Sequence, residues 1–237
     1  MGRRWCIGLL VVVTGCGLFR DPPPEPLAPV AETGIPASAL AHPKTTAWMH
    51  RYCAKMVTHP AVALGLVPSR PILPRLEAIL IAHGLPRELS AVPAIESGYH
   101  ADARGSHGEL GLWQLQPATA RRFGLQVSAQ RDERAHVDDA TGAAARYLAF
   151  LYARYGDWPL ALAAYNAGEG RVDRALARRP GASFWELADR GALPPISRDY
   201  VPRILAVVRL GTSTSACPAA MARGTMGGFA SAPRRGV

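Results

Sequence analysis

The sequence predicts a mainly α-helical domain, on three observations. Apolar residues recur at helical spacing through most segments between residues 46 and 212. Helix start and stop residues bracket several of those segments, with Asp138, Asp157, Ser183 and Ser197 at starts and Gly84, Gly124 and Gly156 at stops. No segment is rich in strand-forming residues and no internal repeat is present. A Gly-rich loop leaves room for a small β-hairpin near residues 98–116.

The N-terminus reads as a targeting segment. Arg3 and Arg4 precede an apolar run from Cys6 to Val13, far too short to span a bilayer as a helix. It ends in Val13-Thr14-Gly15-Cys16, which resembles a bacterial lipobox. The expectation is a signal peptide over 1–15, with Cys16 lipidated as the first residue of the mature chain. The alternative is an ordinary cleaved signal with an incidental cysteine. Gly17 in place of Asp, by resemblance to the enterobacterial sorting rule, points to the outer membrane. Residues 16–45 are Pro-rich and predict an extended tether.

Residues 46–84 predict an N-terminal helical extension. Trp48, Tyr52 and Met56 recur at four, and Leu73, Leu76, Ile79 and Leu80 form an amphipathic face that stops at Gly84. The main domain is expected over 85–212. Pro86 suits a first helical turn. Leu89, Val92 and Ile95 make one apolar face, and Pro93 inside that helix is expected to bend it. Pro117 opens a short helix. Asp138 is expected to cap a long helix running to Tyr155. Asp157 is expected to cap a helix whose Leu160–Ala164 core is apolar on every side and therefore buried. A short helix follows from Arg171 to Arg179. Ser183 and Glu186 have capping-box spacing. Ser197 is expected to cap the last helix, with Val201, Ile204, Leu205 and Val208 inward. Residues 213–237 read as a disordered tail.

Charge narrows the function classes. The chain carries a net charge of +9, yet residues 85–212 hold 16 basic against 14 acidic side chains. A nearly balanced domain argues against nucleic acid, while a mildly basic chain suits an anionic envelope polymer or membrane. Cys53 and Cys217 are free to pair in an oxidising compartment, and their isolation gives no metal signal. Seven histidines form no His-x-x-x-His pair, and no Gly-x-Ser-x-Gly elbow occurs. No metal or organic cofactor is implied.

The chemistry concentrates between Leu85 and Gly124. Glu96 ends an apolar helix, where the helix dipole disfavours negative charge and apolar neighbours raise a carboxyl pKa. Both effects favour a protonated acid near neutral pH. Ser97 is either a helix-end polar residue or a substrate contact. Gln114 suits a sugar N-acetyl or hydroxyl group, whereas Trp113, flanked by leucines, reads first as core. Tyr165 and Asn166 are a helix end or a cleft wall. Tyr200 is a core aromatic with an anchored hydroxyl or a phenol near the acid. His100 and His107 read as solvated loop residues, Glu109 as a solvated acid, and Asp102 as the candidate second carboxylate.

Taken together, Glu96-Ser97, Gly111-Leu112-Trp113-Gln114, Ala164-Tyr165-Asn166-Ala167-Gly168 and Tyr200-Val201-Pro202 resemble, in that order, the soluble-lytic-transglycosylase family. Its membrane-bound D type is the nearest in motif pattern. The resemblance implies a goose-type-lysozyme-like helical fold and non-hydrolytic cleavage of the MurNAc-β-1,4-GlcNAc bond of peptidoglycan to a 1,6-anhydro product. It implies Glu96 as sole acid and base, with Ser97, Gln114, Tyr165, Asn166 and Tyr200 contacting glycan. The expected partners are peptidoglycan strands and, through Cys16, a membrane, in the bacterial periplasm. A hydrolytic muramidase and a non-catalytic peptidoglycan-binding scaffold are the alternatives. One departure stands out: Ile196 occupies a position where members often carry a cleft glutamate.

Overall fold

The structure is a computed structural model that describes residues 34–58, 72–212 and 217. The signal peptide, Cys16, the N-terminal part of the tether and most of the tail lie outside the described residues. Ten α-helices are described: α1 Ala37–Ala41, α2 Pro43–Thr58, α3 Ile72–Ala82, α4 Val92–Glu96, α5 Pro117–Arg122, α6 Val137–Tyr155, α7 Trp158–Ala167, α8 Glu169–Arg178, α9 Phe184–Asp189 and α10 Pro195–Thr212. Two 3₁₀ turns, Arg87–Ala91 and Glu133–Ala135, precede α4 and α6. The domain is mainly helical, as the sequence predicts.

Helix α7 is the centre of the fold. Trp158 through Ala164 are all buried, which follows from a sequence apolar on every side. Asp157 caps it, accepting from Leu160 N–H at 3.0 Å. Helix α6 packs along it, entering α7 through Gly156 at φ 64°, the left-handed stop that a glycine provides. Helix α10 crosses α7, α4 and α2, and its Val201, Ile204, Leu205 and Val208 face inward. Ser183 and Glu186 close the expected capping box at α9.

The structure departs from expectation at several points. Pro93 does not bend a helix. Residues 87–91 wind as a 3₁₀ turn, and a new α-helix starts at Val92, so Pro93 falls in a first turn where no N–H is needed. Asp138 does not cap α6. The helix starts at Val137, and Asp138 lies within the first turn, where its carboxylate takes a two-point contact from Arg75 of α3. Ser197 does not cap α10, which starts at Pro195; it is fully buried and bonds a neighbouring helix instead.

The tether ends earlier than expected, since α1 and the start of α2 fall inside 16–45. Ile35 and Ala39 are core residues, and the His42 ring stacks on Trp185 at 3.5 Å between centroids. Near residues 98–116 the pairing is limited to isolated antiparallel bridges, Arg104 with Leu110 and Leu110 with Leu115, rather than a strand ladder. Cys53 and Cys217 form a disulfide, with their Cα atoms 5.4 Å apart.

Candidate active site

The short apolar run Val92-Pro93-Ala94 is buried and carries Glu96 to the end of α4, half-buried against α10. From α10 the Tyr200 hydroxyl donates a hydrogen bond to Glu96 Oε1. Removal from water is the largest influence on the carboxyl and pushes its pKa up from 4.5 to about 7. The Tyr200 hydrogen bond and the Arg203 charge oppose that shift, while the Glu109 charge adds to it. Tyr200 is itself buried, which raises its phenol pKa well above 10 and keeps it a donor. Glu96 therefore sits where both protonation states are within reach at neutral pH.

The loop facing Glu96 is built on glycine and one buried arginine. Gly111 has φ 83°, and a Cβ there would lie 2.0 Å from the Arg134 carbonyl oxygen, so no side chain fits. The Arg134 guanidinium is buried and donates to Gly108 O at 2.7 Å, Leu115 O at 2.9 Å and the Asp132 carboxylate. It thus holds both ends of the loop that presents residues 109–114. The charged run Asp132-Glu133-Arg134 was the only signal of this brace, and a run of mixed charge reads in sequence as a solvated turn.

The segment Gly111–Gln114 is tied to both neighbouring helices through its backbone. Ser97 Oγ donates to Leu112 O at 2.8 Å, binding the end of α4 to the segment. Tyr165 Oη, from α7, donates to Trp113 O at 2.8 Å. The Trp113 ring is fully buried and its Nε1 donates to Thr141 Oγ1 at 2.9 Å, so it is core. Gln114 adopts φ 47°, and its Nε2 donates to Ala103 O and Gly111 O at 3.0 and 2.8 Å. Its side-chain oxygen has no partner among the described residues.

Asn166 lies in the last turn of α7 and accepts from Ser197 Oγ at 2.7 Å. Its amide N–H groups have no partner among the described residues. Behind Tyr165, whose ring centroid is 5.3 Å from that of Tyr147, a polar shelf forms. Tyr147 Oη donates to Glu169 at 3.1 Å, and Arg122 pairs with the same carboxylate at 2.8 Å. Sequence reasoning missed Arg134, Arg203 and this shelf.

The structure therefore gathers Glu96, Ser97, Gln114, Tyr165, Asn166 and Tyr200 around one corner of the fold, where α4, α7 and α10 meet. Asp102, His100 and His107 are exposed. Glu109 is not solvated as expected: it is half-buried, accepts from His107 N–H at 2.9 Å and Gln116 Nε2 at 2.7 Å, and is held below the usual carboxylate range despite the opposing effect of burial. Hydrogen bonds that favour its charged form leave it an anion, which suits it poorly as the proton donor. Among the described residues no three His, Cys, Asp or Glu side chains cluster to hold a metal.

Residues 76–188 match the family model of the transglycosylase SLT domain. This stretch is similar to the SLT domain. Over 128 residues it is 38% identical to membrane-bound lytic murein transglycosylase D of Escherichia coli K12, a match covering 52% of this chain and 27% of that protein. Over 94 residues it is 47% identical to a putative tributyltin chloride resistance protein of Alteromonas sp. M-1, covering 39% and 45%. An inactive mutant of the lytic transglycosylase Slt from Pseudomonas aeruginosa superposes with a TM-score of 0.50 at 28% identity, covering 62% of this chain and 24% of that one. The chain spans about a quarter of the length of transglycosylase D. Helix α10 and its Tyr200 follow the stretch matched to the SLT domain in sequence, as α2 precedes it.

Proposed function

We propose that the protein is a lytic transglycosylase that cleaves the MurNAc-β-1,4-GlcNAc bond of peptidoglycan without water. The observation that carries this is Glu96: one half-buried carboxyl with a pKa near 7, bonded by the Tyr200 phenol. Ordinary glycosidases use two carboxylates, one as acid and one as nucleophile or base for water. Here Glu109 is held as an anion by its own hydrogen bonds and Asp102 is exposed. A single group that serves as acid and then as base fits a reaction whose nucleophile belongs to the substrate.

In the reaction, protonated Glu96 gives its proton to the glycosidic oxygen as the bond to muramoyl C1 breaks. The GlcNAc chain leaves with a 4-hydroxyl. The Glu96 carboxylate then removes the proton from the muramoyl C6 hydroxyl as that oxygen bonds C1, giving the 1,6-anhydro ring and restoring the acid. Both steps draw on a pKa near the working pH. Tyr200 holds the carboxyl in place, while the Asn166 amide N–H groups and the Gln114 carbonyl are available to sugar N-acetyl and hydroxyl groups. Ser97 and Tyr165 act mainly by fixing the Leu112 and Trp113 carbonyls.

The relatives named as murein transglycosylases support the substrate class, and the Escherichia coli relative is named as membrane-bound. No helix among the described residues is long and apolar enough to cross a membrane. We infer that this protein works in the periplasm, held to the outer membrane by acylation of Cys16. Digestion of purified murein followed by mass analysis tests the reaction. Anhydro-muropeptides, one water lighter than reducing-end products, are expected from the wild type and are lost in Glu96→Gln. Reducing-end products would identify a muramidase instead, and release of nothing by the wild type would identify a binding scaffold.

A further inference from the structure

A recess of about 410 Å³ opens beside the first turns of α10, and Glu96 is not among the residues that line it. Lys44, Trp48 and Arg51 line it from α2, and Pro195, Arg198 and Asp199 from the first turns of α10. All six lie outside the residues matched to the SLT domain. Two of its three cations make no ion pair among the described residues. Lys44 is paired with Asp189. The Arg51 guanidinium lies 4.8 Å from the Trp48 ring centroid and has no carboxylate partner among the described residues. Arg198 makes no ion pair there either, and its Nε is buried without a hydrogen-bond acceptor. A buried guanidinium donor left unpaired is rare in folded proteins and points to an acceptor that binds there. Asp199, on the same rim, is exposed and unpartnered among the described residues.

We propose that this recess binds the terminus of a murein stem peptide, a group bearing carboxylates and one amine. Arg198 and Arg51 take the carboxylates, Asp199 takes the amine, and Trp48 supplies the apolar floor. The proposal rests on the murein reading above. The mixed charge decides the ligand class. A phosphate dianion would meet Asp199 unfavourably, whereas an amino-acid terminus matches both signs.

The placement also fits. Arg198 and Asp199 stand two and one residues before Tyr200, and each helical step turns about 100°. The recess is therefore roughly a helix width, about 10 Å, from the cleft face of α10. An extended tripeptide covers roughly the same 10 Å. Arg203, one turn further on, links the two places. Its guanidinium is 5.5 Å from the Trp48 ring centroid, and its charge lowers the Glu96 carboxyl pKa.

Calorimetric titration of the full chain, carrying Glu96→Gln so that no glycan is cut, tests the proposal with the tripeptide N-acetyl-L-Ala-γ-D-Glu-meso-diaminopimelate as probe, in which the diaminopimelate side chain bears the one amine. Saturable binding is expected. Arg198→Gln and, separately, Arg51→Gln should each weaken it at least tenfold, and Asp199→Asn should weaken it for this peptide but not for its N-acetylated side-chain form. Arg51 is exposed, so its variant tests the site even where Arg198→Gln fails to fold. No binding, unchanged affinity in a folded Arg51→Gln protein, or equal competition by inorganic phosphate overturns the proposal. The two readings fail separately: anhydro-products without peptide binding remove only the recess assignment, and peptide binding without any glycan cleavage removes only the catalytic one.

Discussion

The Tyr200 hydroxyl donates to Glu96 Oε1, so the last described helix holds the carboxylate that ends α4. The two residues are 104 positions apart in sequence. This bond favours the charged form of Glu96 and offsets part of the upward shift that burial imposes.

Tyr200→Phe should therefore raise the Glu96 pKa above about 7. Bond cleavage needs the protonated acid, so activity falls as pH rises through that pKa. The basic limb of the kcat/KM profile should move to higher pH in the variant. The rate at the optimum should fall about 10- to 100-fold, the equivalent of one hydrogen bond to a charged group at about 1.5–3 kcal/mol. An unmoved limb would show that Tyr200 does not act on Glu96.

Glu96 also links stability to pH. Its folded pKa of about 7 lies above the ordinary 4.5. Below pH 4.5 both states are protonated and the group costs nothing. As pH rises from there to 7 the unfolded chain ionises first, and folding loses stability, up to about 3 kcal/mol above pH 7 at 1.36 kcal/mol per pKa unit. Glu96→Gln should raise the melting temperature at pH 8.5 and change it little at pH 4. Equal shifts at both pH values would contradict the raised pKa.

Gly111→Ala should be among the most damaging single substitutions in the loop. The new methyl meets the Arg134 carbonyl oxygen at 2.0 Å on a backbone at φ 83°. A loss of about 3 kcal/mol or more is expected by thermal or urea unfolding, with cleavage activity falling alongside. Gly108→Ala serves as the control. Its φ is also positive, at 88°, but a Cβ there meets no atom within 4 Å, so only the backbone cost of about 1 kcal/mol applies.

Ser197→Ala removes the donor that fixes the Asn166 side chain. Since Ser197 is fully buried, stability should drop by about 1–2 kcal/mol. If Asn166 contacts glycan, KM on murein strands should rise several-fold while the pH profile stays in place. A profile that shifts instead would tie Ser197 to the acid rather than to binding.

Where a side chain acts on its own backbone, the sequence is readable. Asp157, Gly156 and the Ser183–Glu186 box mark helix ends in the structure as they do in the text, because the signal and the bond lie within a few residues. The residues brought together around Glu96 were legible through their ordered motifs, although the partner each one meets was not. Ser197 and Asp138 are good caps by residue type, but each found a distant partner, Asn166 and Arg75, and tertiary contact overrode the local preference. At Pro93 the sequence misleads, because a 3₁₀ turn and a following α-helix share one apolar pattern. Arg134 was invisible because its burial depends on how the Gly108–Leu115 loop closes over it.

The Cys53–Cys217 bond joins α2 to the chain beyond α10, with 164 positions between its ends. Everything from α3 to α10 lies on one covalent ring. A single protease cut within that ring cannot release a fragment. A nicked molecule should migrate as one species in a non-reducing gel and separate into two only when thiol is added. The ring thus keeps Glu96 and Tyr200 on the same molecule after backbone damage between them.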